Sequence, residues 1–264
     1  MTFSIKRYLL LSVGLLASAY FCRADAPSGP VSFSFGAENV PVYDLTGSFQ
    51  INQTMLGAGQ TEVGLSYGIE VTQDARGFLT GTGITLLVVG NDFVAAEYTA
   101  KGKISGGGAG TRVTLSVRLT GEDVIAGVST PFKIGIVYRS NVAAESRTLE
   151  GTARGSAKFS RLGNSRIRST VSAALPANAD GAWSLQMDIV PLDRLGGSAL
   201  VVLSNGRTLQ LHLTGRYSAA QDRSTIKMSG FDDSRGNSLK VVLGSENRLR
   251  GRVFGQVVPC DGCF

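Results

Sequence analysis

Arg112-Val113-Thr114-Leu115-Ser116-Val117-Arg118-Leu119 alternates polar and apolar side chains without a break. Successive side chains of an extended strand point to opposite sides, so this run has one apolar face and one polar face. That is what a half-buried antiparallel sheet requires. Ser184-Leu185-Gln186-Met187-Asp188-Ile189 and Thr208-Leu209-Gln210-Leu211-His212-Leu213-Thr214 repeat the pattern. No segment beyond the first two dozen residues sustains a 3.6-residue apolar period. The chain therefore reads as all-β: an antiparallel up-and-down meander of roughly 13–15 strands, closed like a barrel or packed as two sheets.

The breaks between runs carry turn chemistry. Ser204-Asn205-Gly206-Arg207 separates two alternating runs, and Asn-Gly suits the two positive φ values of a type I′ hairpin. Asp74-Ala75-Arg76-Gly77, Gly90-Asn91-Asp92, Gly106 to Gly110 and Ser234-Arg235-Gly236-Asn237 read as further turns. One short helix is expected at Val142 to Arg147. Tyr67-Gly68-Ile69-Glu70-Val71 parallels Trp183-Ser184-Leu185-Gln186-Met187, and Lys101-Gly102-Lys103-Ile104-Ser105 parallels Thr214-Gly215-Arg216-Tyr217-Ser218. This weak repeat suggests two related meander halves, 25–140 and 141–264, which could also form one continuous domain. From Trp183 to Gln256 the Trp-Ser-Leu-Gln-Met, Ser-Asn-Gly-Arg, Thr-Gly-Arg-Tyr-Ser and Gly-Arg-Val-Phe-Gly-Gln segments resemble uncharacterised secreted bacterial Gly-rich β-repeat proteins. The resemblance implies a secreted β-fold and no activity.

Residues 1–24 read as a signal peptide. Lys6 and Arg7 precede an apolar stretch, Leu9 to Ala19. That stretch is shorter than the ~20 residues of a membrane-spanning helix. Small residues at Cys22 and Ala24 suit cleavage before Asp25. Loss of Lys6, Arg7 and Arg23 lowers the formal charge from +6 to +3. So small a basic excess gives no reason to expect a nucleic-acid partner. The chain is read as exported, to the periplasm or the extracellular space.

Its chemistry is sparse. His212, the single histidine, lies on the polar side of its run, and no Gly-x-Ser-x-Gly elbow accompanies it. No phosphate loop, dinucleotide fingerprint or calcium loop occurs, so no cofactor and no metal site is expected. Asp232-Asp233 and Glu122-Asp123 are acid pairs at expected turns. The chain is thus read as a non-catalytic structural or binding module. The alternatives are a hydrolase of an extracytoplasmic polymer using carboxylates, and an outer-membrane barrel. The second is disfavoured by 8% aromatics and a single Trp, too few for two aromatic girdles.

Two arginine groups remain. Arg248, Arg250 and Arg252 alternate with Leu249, Gly251 and Val253, so on a strand their guanidinium groups share one face. Arg166 and Arg168 do the same around Ile167, with Arg161 beyond a Gly163-Asn164 turn. These residues are the candidate anion-binding set, and an anionic polysaccharide or other surface polymer is the candidate partner. The other reading of each group is a solvated sheet face, or an edge strand protected from aggregation by charge. Cys260 and Cys263 flank Asp261-Gly262, and export would favour a disulfide between them.

Protein recovered from its native compartment should begin at or near Asp25 by intact mass spectrometry. A mass that starts at Met1 would refute cleavage.

Overall fold

The computed structural model describes residues 31–36, 40–56, 62–125, 127–159, 163–179, 181–190, 195–218, 223–243 and 248–261. The expected signal peptide and Cys263 lie outside these residues. The chain divides into two compact units. One is Tyr43–Asp180; the other joins the chain up to Val42 with Gly181–Phe264.

The second unit begins with β1 (Val31–Gly36). All strands between it and β10 belong to the first unit, which is a closed antiparallel barrel: β2 (Gly47–Leu56), β3 (Glu62–Gln73), β4 (Phe78–Val89), β5 (Asp92–Ser105), β6 (Arg112–Ile125), β7 (Val128–Ala143), β8 (Thr148–Phe159) and β9 (Gly163–Ala174). The chain then completes an eight-stranded antiparallel sheet with β10 (Trp183–Val190), β11 (Leu195–Leu203), β12 (Thr208–Ser218), β13 (Arg223–Gly230), β14 (Ser238–Leu243), β15 (Arg248–Val253) and β16 (Gln256–Asp261). The all-β antiparallel meander is therefore the observed fold. It has 16 strands among the described residues, and it contains a barrel and a separate sheet.

Three expectations are corrected. The division at 140/141 falls inside β7, in the middle of the barrel. The true break is discontinuous in sequence, because β1 pairs with β10 from Val31↔Ile189 to Gly36↔Ser184. No helix forms at Val142 to Arg147: Val142 and Ala143 finish β7, and a tight turn follows with Arg147 at φ 52. Asn205 is not among the positive-φ residues, so the hairpin is not type I′. Instead Gly206 donates to Leu203 O and takes φ 83 alone, while Leu203 N donates to Arg207 O. The turn at Asp74 uses the same geometry, with Gly77 at φ 81. Tyr67 and Trp183, matched by the sequence repeat, lie in the second strand of barrel and sheet in ladder order; Lys101 and Thr214 lie in the fourth.

The alternation does what the sequence demands. In β6, Val113, Val117 and Leu119 are buried in the barrel, while Thr114, Ser116 and Arg118 are exposed. An eight-stranded barrel is just wide enough for side chains to fill it. Phe132 and Phe159 stack inside at 4.7 Å between ring centroids. Leu119 and Ile134 reach 0% exposure. The outward positions of β5 to β9 are mostly Thr, Ser, Lys and Arg, so charged groups face outwards.

Two features interrupt this regularity. Inside, Tyr138 donates to Gln53 Oε1 at 3.1 Å and meets the Tyr67 hydroxyl. Between β3 and β4 the register slips between Ser66 and Thr72. Side chains replace part of the ladder there: Thr85 Oγ1 accepts from Gly68 N at 3.2 Å, and the Tyr98 hydroxyl accepts from Glu70 N at 3.0 Å. Gly83 makes room for the Tyr98 ring, which a Cβ at that position would meet at 2.9 Å.

Burial pushes both internal phenols, Tyr67 and Tyr138, well above the ordinary tyrosine pKa. Their folded pKa exceeds the unfolded value near 10. Their contribution to stability is therefore complete below about pH 10 and is lost as pH climbs beyond it. Phenolate absorbance should show these two ionising only as the barrel unfolds, and Tyr138→Phe should narrow the alkaline loss of stability. Smooth titration of all tyrosines in protein that remains folded would contradict this.

Candidate functional site

β15 sets out the arginine stripe. Leu249 and Val253 are buried, and Arg248, Arg250 and Arg252 are exposed on the opposite face. Gly251 lets β14 approach closely, since a Cβ there would stand 2.0 Å from Ser238 O. Pairing then adds a second dimension. Arg250 lies opposite Lys240, and Lys240 lies opposite Lys227. Paired residues of an antiparallel ladder share a face, with Cβ atoms roughly 4.5–5.5 Å apart. A row Lys227–Lys240–Arg250 thus runs across three strands and crosses the stripe along β15.

The sequence reading missed Lys227 and Lys240, because Lys240 is the lone cation of β14 and Lys227 shares β13 only with Arg223, four residues away. Only hairpin register brings them together. Arg216 and Arg223 extend the exposed basic surface on β12 and β13. The strands β12 to β15 contain these seven Lys and Arg residues and no Asp or Glu. Asp261 is the backbone partner of Arg248 on the far side, in β16. Arg248 and Arg250 each interact with other groups of the chain. Like charges placed directly opposite cost roughly 0.2–1 kcal/mol per pair, so folding alone does not favour this row.

Arg166 and Arg168 belong to β9 of the barrel, in a different unit from β15. They are exposed, and they have basic neighbours of their own. Arg168 lies opposite Arg154, and Lys158 lies opposite Lys133 on the adjacent ladder. Glu150, the acid of β8, accepts from Thr148 Oγ1 at 3.0 Å. Arg161 lies outside the described residues.

The remaining candidates disperse. His212 is exposed on β12, opposite Ser198 and Ser229. Asp232 and Asp233 are exposed in a single 3-10 turn. Glu122 and Asp123 are not at a turn but inside β6, on opposite faces, with Glu122 exposed and Asp123 buried. Consecutive strand residues cannot converge on one substrate. Cys260 pairs in register with Leu249, and its expected disulfide partner is outside the described residues. Among the described residues no three His, Cys, Asp or Glu side chains cluster to hold a metal, and no helix is long and apolar enough to cross a membrane.

One depression of about 340 Å³ opens on the outer wall of the barrel, lined by Thr82, Ile84, Glu97, Tyr98, Arg118 and Thr120 among others. It contains a single carboxylate. Glycoside hydrolysis calls for two, spaced across the substrate.

Lys240 stands between Lys227 and Arg250, so Lys240→Glu should convert two repulsive pairs into attractive ones. Stability of the sheet unit should rise by about 0.5–1 kcal/mol in low salt, and the gain should fade in molar salt. Urea denaturation at two ionic strengths tests this; a loss of stability at low salt would mean that the row is not in apposition.

No known protein family, curated protein or solved structure matches this chain.

Proposed function

We propose that the protein is an exported, non-catalytic β-module that binds an anionic surface polymer, such as an acidic polysaccharide, on the outer face of β12–β15. The observation that carries this reading is the crossing of two basic rows on β13–β15, within four strands, β12–β15, that hold no acid. Along β15 the charges repeat every ~6.5–7 Å, and across the strands every ~4.8 Å. A lattice of that kind matches a ligand with repeated negative groups better than a single small anion. Arginine adds planar, two-pronged donors suited to carboxylate and sulfate.

Export is the expectation from residues 1–24, and the resemblance of Trp183 to Gln256 to secreted β-proteins points the same way. The charged outer wall of the barrel supports a protein that stands in water, because a membrane-spanning barrel turns its apolar side outwards. The matching ladder positions of the repeat segments support an origin of the two units in one duplicated meander. Arg154, Arg166 and Arg168 form a second basic surface, on the barrel unit itself.

The test is retention on a sulfated-polysaccharide column. The wild type should elute late and in a salt-dependent manner. Changing Arg248, Arg250 and Arg252 to Gln should move elution to much lower salt. Adding Lys227→Gln and Lys240→Gln should move it further. A control triple, Lys101, Lys103 and Arg112 to Gln on the barrel, should shift it less. Equal shifts for the two triples would reduce the face to ordinary surface charge and overturn the proposal.

A further inference from the structure

The depression on the barrel wall owes its shape to the broken ladder between β3 and β4. Tyr98 fills that break from within, beneath Gly83, leaving Thr82, Gly83 and Ile84 exposed beside β5. Glu97 and Arg118 both face outwards here. Glu97 lies opposite Thr120, and Arg118 lies opposite Thr99, so acid and base are diagonal neighbours on one face. Such neighbours are roughly 7–8 Å apart, within reach of long side chains. Yet no ion pair joins them. A carboxylate and a guanidinium thus line the same depression without neutralising each other, with the hydroxyls of Thr82, Thr99 and Thr120 around them.

The rows above the depression are apolar. Moving towards the hairpin at Gly90 and Asn91, Ile84 pairs with Glu97, Leu86 with Ala95, and Val88 with Phe93. Ile84 is 78% exposed, Leu86 58% and Phe93 67%. Val124 on β6 is 62% exposed at the same end of the barrel. By contrast, the exposed Phe78 at the other end is covered by the cations of Arg76 and Lys103. From the row of Ile84 to the row of Phe93 the apolar strip runs about 13–14 Å.

We propose that this wall binds a zwitterionic amphiphile: a molecule whose ammonium and phosphate or carboxylate groups sit between Glu97 and Arg118 while its apolar chain lies along Ile84, Leu86 and Phe93. A ligand of one charge would satisfy Arg118 or Glu97 and repel the other. A sugar would leave the apolar strip in water. A second copy of the chain would bury the strip and set Glu97 against Arg118 across a twofold axis, so it is the competing occupant, and self-association is its signature. The site is separate from the basic face of β12–β15, so either can fail without the other.

The experiment is calorimetric titration of the full mature chain with a single-chain phosphoethanolamine lipid below its micelle concentration. Saturable binding is expected. Glu97→Gln and Arg118→Gln should each weaken it about tenfold, the loss of one charge-assisted hydrogen bond. Leu86→Ser with Phe93→Ser should weaken the lipid but leave free phosphoethanolamine unchanged, which separates a membrane lipid from a soluble zwitterion as the source of the headgroup. An alkyl phosphate of the same chain length, lacking the ammonium, should bind more weakly than the zwitterion and should be strengthened, not weakened, by Glu97→Gln, which removes a like charge. These side chains are exposed, and circular dichroism should confirm that each variant is folded. Absence of binding, or binding untouched by both charge variants, would overturn the proposal. So would a concentration-dependent self-association that disappears in the Leu86→Ser, Phe93→Ser variant, for the strip would then be a contact between copies.

Discussion

Everything inside the barrel answers to one constraint: eight strands enclose a space that side chains alone must fill. Where β7 sends in Ile134, Ile136 and Tyr138, the paired positions of β8 are Ala157, Gly155 and Ala153. Gly155 approaches β7 so closely that a Cβ would stand 2.1 Å from Gly135 O. Large residues on one strand thus require small ones on the next. The same constraint reaches the β3–β4 irregularity. Tyr98 is too large to lie wholly within its own row, and its hydroxyl ends on the backbone of Glu70, supplying the hydrogen bond that the slipped register omits. The outer depression is the external side of that internal fit.

Much of this was legible. The uninterrupted alternation of Arg112 to Leu119 identifies β6 and its two faces, and the same rule correctly puts Arg248, Arg250 and Arg252 together on β15. What stayed hidden is long-range register. Lys227 and Lys240 are unremarkable in their own strands and become part of a site only through the β13–β14 pairing. Glu97 and Arg118 are 21 residues apart and meet through the β5–β6 ladder. Local composition also misled. Asn205-Gly206 has the residues of a type I′ turn, but the loop closes with one left-handed glycine, and the Asn205 side chain accepts from Arg207 N at 3.0 Å. Val142 to Arg147 lacks the length to nucleate a helix against a β-ladder already formed on both sides.

The charges follow a different logic from the core. Burial selects inward residues strictly, but outward positions are free to vary, so their pattern carries information that packing does not explain. Lys227, Lys240 and Arg250 in one row, and Arg154 opposite Arg168 in the barrel, run against the ordinary preference for opposite charges across a ladder. The apolar strip above Glu97 runs against the preference for polar outer positions in the same way. Each of these departures lies on an exposed face, where the preference could have been met at no cost to the core.

The pairing of β1 with β10 bears on how the chain must assemble. β1 leaves the ribosome, and any export channel, before all its partners, and Gly36 waits for Ser184 across the entire barrel sequence. Closing a loop that long from a disordered chain carries a large entropic penalty. A folded barrel shortens the effective loop to its own two ends, which Val42 N and Gly181 O join at 2.9 Å. The barrel is thereby an assembly platform: its closure delivers the first strand to the sheet, and until then that strand is an unpaired edge open to mispairing with other chains. The topology thus favours an order of assembly in which the middle of the polypeptide is completed before its beginning.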